Sequence, residues 1–216
     1  MRGGIVIDKF DIYANLFLHR RTTGYFHQYY TGYRQPNNPD FLNNLKNTFN
    51  NERYNVLIDA RNTVVNILME DIPAIIEETN ILNWACVCVP RAKELGTYAD
   101  SQLMFKEAVS IAANNIQGLI DGTQYITRVI DTFTTHLGNA TRDGRIDIIN
   151  EGDRPYPSIT LDTCIIDNIN IINRNIILID DIYTRNVNID EDCIQALFDN
   201  EANNVIFYSI GYTRWY

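Results

Sequence analysis

The chain reads as an α/β protein built on a mainly parallel central sheet flanked by helices, with an N-terminal, helical, aromatic-rich cap. Three observations carry that expectation. The stretch Asn175–Ile189, NIILIDDIYTRNVNI, has four apolar residues in a row, Ile176 to Ile179, without polar alternation. Such a run suits a parallel strand covered on both faces. Trp84-Ala85-Cys86-Val87-Cys88-Val89 is a second run of that kind, and Val205 to Ile210 reads as another strand. Between the first run and that strand lies IDEDCIQALFDN, whose first-turn acids and apolar spacing predict a helix, so the segment reads as a right-handed parallel βαβ unit.

Taken in order, residues 1–81 differ in texture from the rest. Tyr25, Phe26, Tyr29, Tyr30 and Tyr33 cluster around a Gly-containing loop, and Pro36-Asn37-Asn38-Pro39-Asp40 is a turn signal. Asp40 is placed to cap a helix in which Phe41, Leu42, Leu45 and Phe49 share a face. A second helix is expected over Asn55 to Met69, and a third over Asp71 to Glu78 with Pro73 in its first turn, where proline is tolerated. The aromatics are expected to pack this cap onto the main domain, residues 82–216, or to form an interface with a protein partner or a second copy.

After the strand ending at Val89 comes a basic turn with Arg91 and Lys93. Tyr98 to Ile116 predicts the longest clear amphipathic helix, Gln124 to Ile130 a strand, and Asp131 to Arg145 a polar insertion with two glycines. Ile159 to Ile166 is a further strand expectation. Asp180 and Asp181 then fall at the carboxyl end of the central strand, where open α/β sheets bind ligands. Thr184 to Asn188 forms a polar loop, with Asn188 as a cap for the next helix. The loop's backbone N–H groups and the helix N-terminus would face one point, which favours an anion.

This segment resembles the phosphoribosyl-pyrophosphate signature of the type I phosphoribosyltransferases: an apolar lead-in, two acids, an apolar pair and a loop usually written Thr-Thr-Gly-x-Thr. Here the loop reads Thr184-Arg185-Asn186-Val187-Asn188, so the acids and the first Thr match while the Gly and the last Thr do not. Length and layout are most similar to the competence-protein-F, amidophosphoribosyltransferase-like branch, over residues 82–216. The resemblance implies a phosphoribosyltransferase acting on phosphoribosyl pyrophosphate or a related nucleotide with a nitrogen acceptor. It places Asp180 and Asp181 at the ribose hydroxyls and at a magnesium ion, and Thr184, Arg185, Asn186, Val187 and Asn188 around the 5-phosphate. Arg91 and Lys93 would face pyrophosphate, and Arg128, His136 and Arg142 the substrate under a hood. Asn186 tolerates positive φ better than most residues, but its side chain enters a cradle that glycine leaves open. Two other readings stand beside this one: a noncatalytic nucleotide sensor or docking protein of the same fold, and a bacterial conflict effector acting on nucleotides or nucleic acid.

Composition bounds the remainder. The 216 residues carry a net charge of −9, with 45% hydrophobic and 21% charged residues, as expected for a folded domain and contrary to nonspecific nucleic-acid binding. No membrane span and no signal peptide are expected, and the reading is cytoplasmic. Cys86, Cys88, Cys164 and Cys193 sit in apolar segments without C-x-x-C spacing and read as reduced core residues. His19, His27 and His136 are too dispersed for a histidine metal motif.

Overall fold

A computed structural model describes residues 7–132, 159–185 and 187–214. The centre of the molecule is a six-stranded sheet of β1 (Asp8–Ile12), β2 (Thr22–Tyr30), β3 (Trp84–Cys88), β4 (Ile120–Asp121), β7 (Asn175–Tyr183) and β8 (Asn204–Thr213), in the order β1-β2-β8-β7-β3-β4. Every neighbouring pair is parallel except β1 with β2. β5 (Ile126–Arg128) and β6 (Cys164–Ile166) form a separate antiparallel pair. The expected mixed α/β architecture, with a mostly parallel sheet between helices, is therefore present.

The uninterrupted apolar runs have a direct structural cause. Along β3, Trp84, Cys86 and Cys88 join one hydrophobic core and Ala85 and Val87 the other. β7 divides likewise, with Ile177 and Ile179 on one face and Ile176 and Leu178 on the other. Side chains alternate across a strand, so a strand covered on both faces must be apolar at every position. The first core is closed by α1 (Asp40–Lys46), α2 (Tyr54–Thr79) and α3 (Met104–Asn115), and the second by α4 (Asn168–Ile171), α5 (Ile189–Asp199) and the β5–β6 pair. α5 joins β7 to β8 as the sequence predicts. No helix among the described residues is long and apolar enough to cross a membrane, and Cys86, Cys88, Cys164 and Cys193 are buried and unpaired.

The expected helical cap is corrected at its N-terminal end. It is helical only from Asp40 onward; β1 and β2 are strands of the central sheet, β2 pairing with β8 from Gly24–Phe207 to Tyr30–Thr213. Tyr25 and Phe26 are both buried, on opposite faces. The TTGYFHQYY stretch is rich in aromatic and β-branched residues, which favour a pleated surface, and its glycine is not a loop signal. A Cβ on Gly24 would stand 2.5–2.9 Å from ring atoms of Phe10, so the position must be bare for β1 to pair.

α2 is one helix of 26 residues where two were expected. Pro73 lies inside it, and the buried stripe continues through Leu68, Ile72 and Ile75 on both sides of that residue. Packing against the sheet outweighs the lost hydrogen bond and ring clash that proline imposes. α1 is shorter than expected, ending at Asn47 with φ 37°, and Phe49 lies outside it and exposed. The helix expected over Tyr98 to Ile116 starts only at Met104, and Asp100–Gln102, within its expected first turns, form a 3-10 turn.

α2 is tied to the sheet by one buried polar contact. Asp71, almost fully buried, accepts from the Tyr208 hydroxyl at 2.6 Å and meets His27 Nδ1 at 3.0 Å. The hydrogen bond to Asp71 raises the His27 pKa above 6.5 against the opposing effect of burial. Replacing Asp71 with alanine strands the Tyr208 hydroxyl and opens a void, and is expected to lower unfolding stability by about 2–5 kcal/mol in a urea titration. Because the folded pKa of His27 is the higher one, its contribution is complete below pH 6.5 and disappears as pH rises through the folded value. A His27→Gln variant is expected to lack that part of the pH dependence.

Candidate active site at the switch point of the sheet

From β3 the chain crosses outward to β4, and from β7 it crosses the other way to β8, although β3 and β7 are neighbours. The crevice beyond their carboxyl ends is thus a topological switch point, the position at which open α/β sheets bind ligands. A cavity of about 500 Å³ lies there, within the range of small-molecule sites. It is lined by Cys88 at the end of β3 and the turn after it through Lys93, from β7 by Asp180 to Ile182, and from the loop and α5 by Thr184, Val187, Ile189 and Asp190.

Alternation along β7 sends its two acids apart. Asp181 turns toward α1, where its Oδ2 stands 3.3 Å from Lys46 Nζ. Asp180 lies toward α5 and is held by the Asp181 backbone N–H, which donates to its Oδ1 at 2.8 Å. Burial and the neighbouring Asp181 charge push the Asp180 pKa up to about 7, with Lys46 acting in the opposite direction. Asp190 is raised well above the usual carboxylate range by burial, by Asp180 and by Glu191. The hydrogen bond between these two carboxyls raises the pKa of Asp190 and lowers that of Asp180, so their titrations are coupled. Lys46 keeps its charge: burial disfavours the ammonium, but Asp181 and Asp180 outweigh that and raise its pKa.

The cationic side of the cavity is built differently. Arg91 donates to the backbone carbonyls of Gln102 and of Lys46, the latter at 2.9 Å, and its guanidinium lies 4.4 Å from the Tyr98 ring centre. Lys93 donates to the Thr132 carbonyl at 3.0 Å, with Asp131 at 3.9 Å. Arg128 is buried and donates to the Arg91 carbonyl at 3.1 Å. Lys106 donates to Gln124 Oε1 at 3.0 Å, and burial lowers its pKa. Carbonyl partners satisfy N–H groups without cancelling the charge. Four cationic side chains are thus gathered in this half of the cavity. Cys88 borders the cavity too, but burial pushes its thiol to about 12, which leaves it un-ionised and poorly nucleophilic.

Of the residues singled out from sequence, Asp180, Asp181, Thr184, Val187, Arg91, Lys93 and Arg128 meet at this one cavity. Thr184 Oγ1 is 2.8 Å from Thr213 Oγ1, and the Val187 N–H donates to the Thr184 carbonyl at 3.2 Å, closing the loop into a turn. Arg185 is exposed and outside the lining. Asn188 does not cap α5 with its side chain; it sits at φ 65° and accepts from Asn15 Nδ2 at 3.1 Å. Asn186, His136 and Arg142 lie outside the described residues. Lys46, Lys106 and Asp190 were not anticipated. Asp190 is legible only as a first-turn acid, and Lys46 only as the last residue of an amphipathic helix whose docking place the sequence does not reveal.

Among the described residues no group of three or more His, Cys, Asp or Glu side chains is arranged to hold a metal ion by itself. No protein-family model and no curated protein matches this chain.

The electrostatics of the acid pair can be checked directly. The carbon-13 carboxyl resonance of Asp180 is expected to titrate near pH 7, and Lys46→Met to move that midpoint upward, because the ammonium favours the ionised acid. A folded pKa above the ordinary 3.8 means that Asp180 contributes its stability fully below pH 3.8 and loses it as pH rises through about 7. Asp180→Asn is accordingly expected to melt higher than wild type at pH 8 and to lose that advantage in acid.

Proposed function

We propose that this chain is a phosphoribosyltransferase-like protein that binds phosphoribosyl pyrophosphate, or a related nucleotide, with magnesium and transfers phosphoribose to a nitrogen acceptor. The observation that carries the reading is that Asp180 and Asp181, at the carboxyl end of β7, share one switch-point cavity with Arg91, Lys93, Lys106 and Arg128. A ribose bearing phosphates presents hydroxyls and a developing positive charge at one end and anionic groups at another. The cavity offers acids and cations in the complementary division.

In this reading Asp180 and Asp181 accept hydrogen bonds from the ribose hydroxyls and lie beside C1, where departure of pyrophosphate leaves an oxocarbenium-like centre that nearby carboxylates stabilise. Lys46 holds the Asp181 carboxylate in place, and Arg91 holds Lys46 by its main chain, so Arg91 serves the site by positioning α1 as well as by its charge. Lys93, Lys106 and Arg128 face the anionic groups. Asp180 and Asp181 are also the side chains that would hold magnesium, which typically needs only one or two carboxylates beside the substrate's phosphates and its own waters, and which would neutralise the leaving pyrophosphate. The set fits such a substrate-borne ion better than a closed all-protein metal site.

A second reading, a noncatalytic sensor on the same ligand, is favoured by the loop. The Val187 N–H, which a phosphate cradle would direct at its ligand, is bonded within the Thr184–Val187 turn. Calorimetry with phosphoribosyl pyrophosphate and magnesium is expected to show binding that the double variant Asp180→Asn/Asp181→Asn weakens by about 100-fold or more. Unchanged affinity in that variant would sink both readings. Pyrophosphate release in the presence of a panel of amines and nucleobases separates them, since the sensor binds without turnover.

A further inference from the structure

Between β3 and α3 the chain makes two 3-10 turns, Leu95–Thr97 and Asp100–Gln102, and this stretch carries apolar side chains that neither hydrophobic core absorbs. Leu95, Tyr98 and Leu103 are half-buried, belong to neither core and line the cavity. Phe105, in the first turn of α3, lines it too. The polar residues of the same stretch are used elsewhere: Gln102 Nε2 donates to the Asn47 carbonyl at 3.1 Å, and Ser101 Oγ to Asn50 Oδ1 at 2.6 Å. Those bonds anchor the turns on the segment after α1. The apolar side chains are left to the cavity, and their remaining exposure is removed only by a group that covers them.

The charged residues beside this wall are cations. Every acid in the lining comes from β7 or α5, and none from residues 88–106. The Arg91 guanidinium lies 4.4 Å from the Tyr98 ring centre, and the Lys93 backbone N–H donates to the Tyr98 hydroxyl at 3.0 Å. Lys93 Nζ donates to the carbonyl of Thr132, which also lines the cavity. Two cationic residues are thus fixed around one half-buried ring. A ribose, with a hydroxyl on most of its carbons, gains little from covering leucine and phenylalanine. An alkyl or aryl group gains in proportion to the area it buries, and a phosphate on that group meets the cations.

We propose that Leu95, Tyr98, Leu103 and Phe105 form a subsite for an alkyl or aryl group, and that with Arg91 and Lys93 they bind phosphate monoesters of apolar alcohols. The subsite goes beyond the phosphoribosyl reading, because it needs neither a ribose nor magnesium. It is built from the turns before α3 and the turn after β3, and the acids of β7 and α5 take no part in it.

The probe is hexyl phosphate, compared with inorganic phosphate and with 1-hexanol, titrated into the full chain without magnesium at fixed pH and ionic strength and followed by amide nitrogen-15 NMR. In wild type, hexyl phosphate is expected to bind about tenfold or more tighter than inorganic phosphate, as burial of a few methylene groups provides. It is expected to exceed hexanol by a similar factor, through charge-assisted hydrogen bonds. Leu95→Ser/Leu103→Ser is expected to erase the preference over inorganic phosphate, and Lys93→Met to weaken hexyl phosphate about tenfold. Neither leucine belongs to a core, and a melting curve establishes that each variant is folded. The wild-type comparison stands without any variant: hexyl phosphate no tighter than inorganic phosphate, or no tighter than hexanol, overturns the proposal. So does a preference that survives in Leu95→Ser/Leu103→Ser, or hexyl phosphate affinity unchanged by Lys93→Met. No ribose is present in this experiment, so a negative result leaves the phosphoribosyl reading standing, and failure of phosphoribosyl pyrophosphate to bind leaves the apolar subsite standing.

Discussion

The strand alternation of β7, carried past the end of its buried run, is the constraint on which the site depends. Through Ile179 every side chain is consumed by one of two cores, one on each face of the sheet. At residues 180 and 181 the acids interrupt the two cores, which resume at Ile182 and Tyr183, and the alternation sends the adjacent acids toward different helices. Asp181 meets the ammonium of α1, and Asp180 meets a second carboxyl on α5. One acid is thereby paired with a cation, while the other hydrogen-bonds a second carboxyl and has its pKa raised by burial. Two identical residues, neighbours in sequence, acquire different chemistry from the layer each one faces.

The opposite wall shows how a net-acidic chain can present a cationic surface. Arg91, Lys93, Lys106 and Arg128 are each satisfied at least in part by carbonyl or amide oxygens. Those bonds fix the side chains' positions around the cavity. Arg91 does more, because its two carbonyl partners belong to α1 and to the turn before α3. It clamps the N-terminal helices onto the switch point, and through them it fixes Lys46. The N-terminal segment is therefore part of the site as well as part of the sheet, which β2 enters through its pairing with β8.

Legibility from sequence followed burial. Strands enclosed on both faces, β3, β7 and β8, and the helix between the last two, announce themselves by unbroken apolar runs or by regular spacing. The acids at the end of β7 were visible because they stop such a run. β2 was not visible, because its nine residues, with three tyrosines, two threonines and a glycine, lack a simple period, and because the reason for Gly24 is a ring on another strand. The continuity of α2 through Pro73 was hidden for a related reason: the local penalty of proline is written in the sequence, whereas the sheet surface that offsets it is not.

By itself the sequence determined which strands are central, where charge first interrupts them, and which loop follows, since each of these depends on residues adjacent in the chain. Only the tertiary structure decided that Lys46, 135 positions before Asp181 by difference of their numbers, is its partner, and that Asp190 lies against Asp180 rather than in solvent. Electrostatic partnership depends on distance and on exclusion of water, and a first-turn acid reads identically in sequence whether it points to solvent or under the end of a strand.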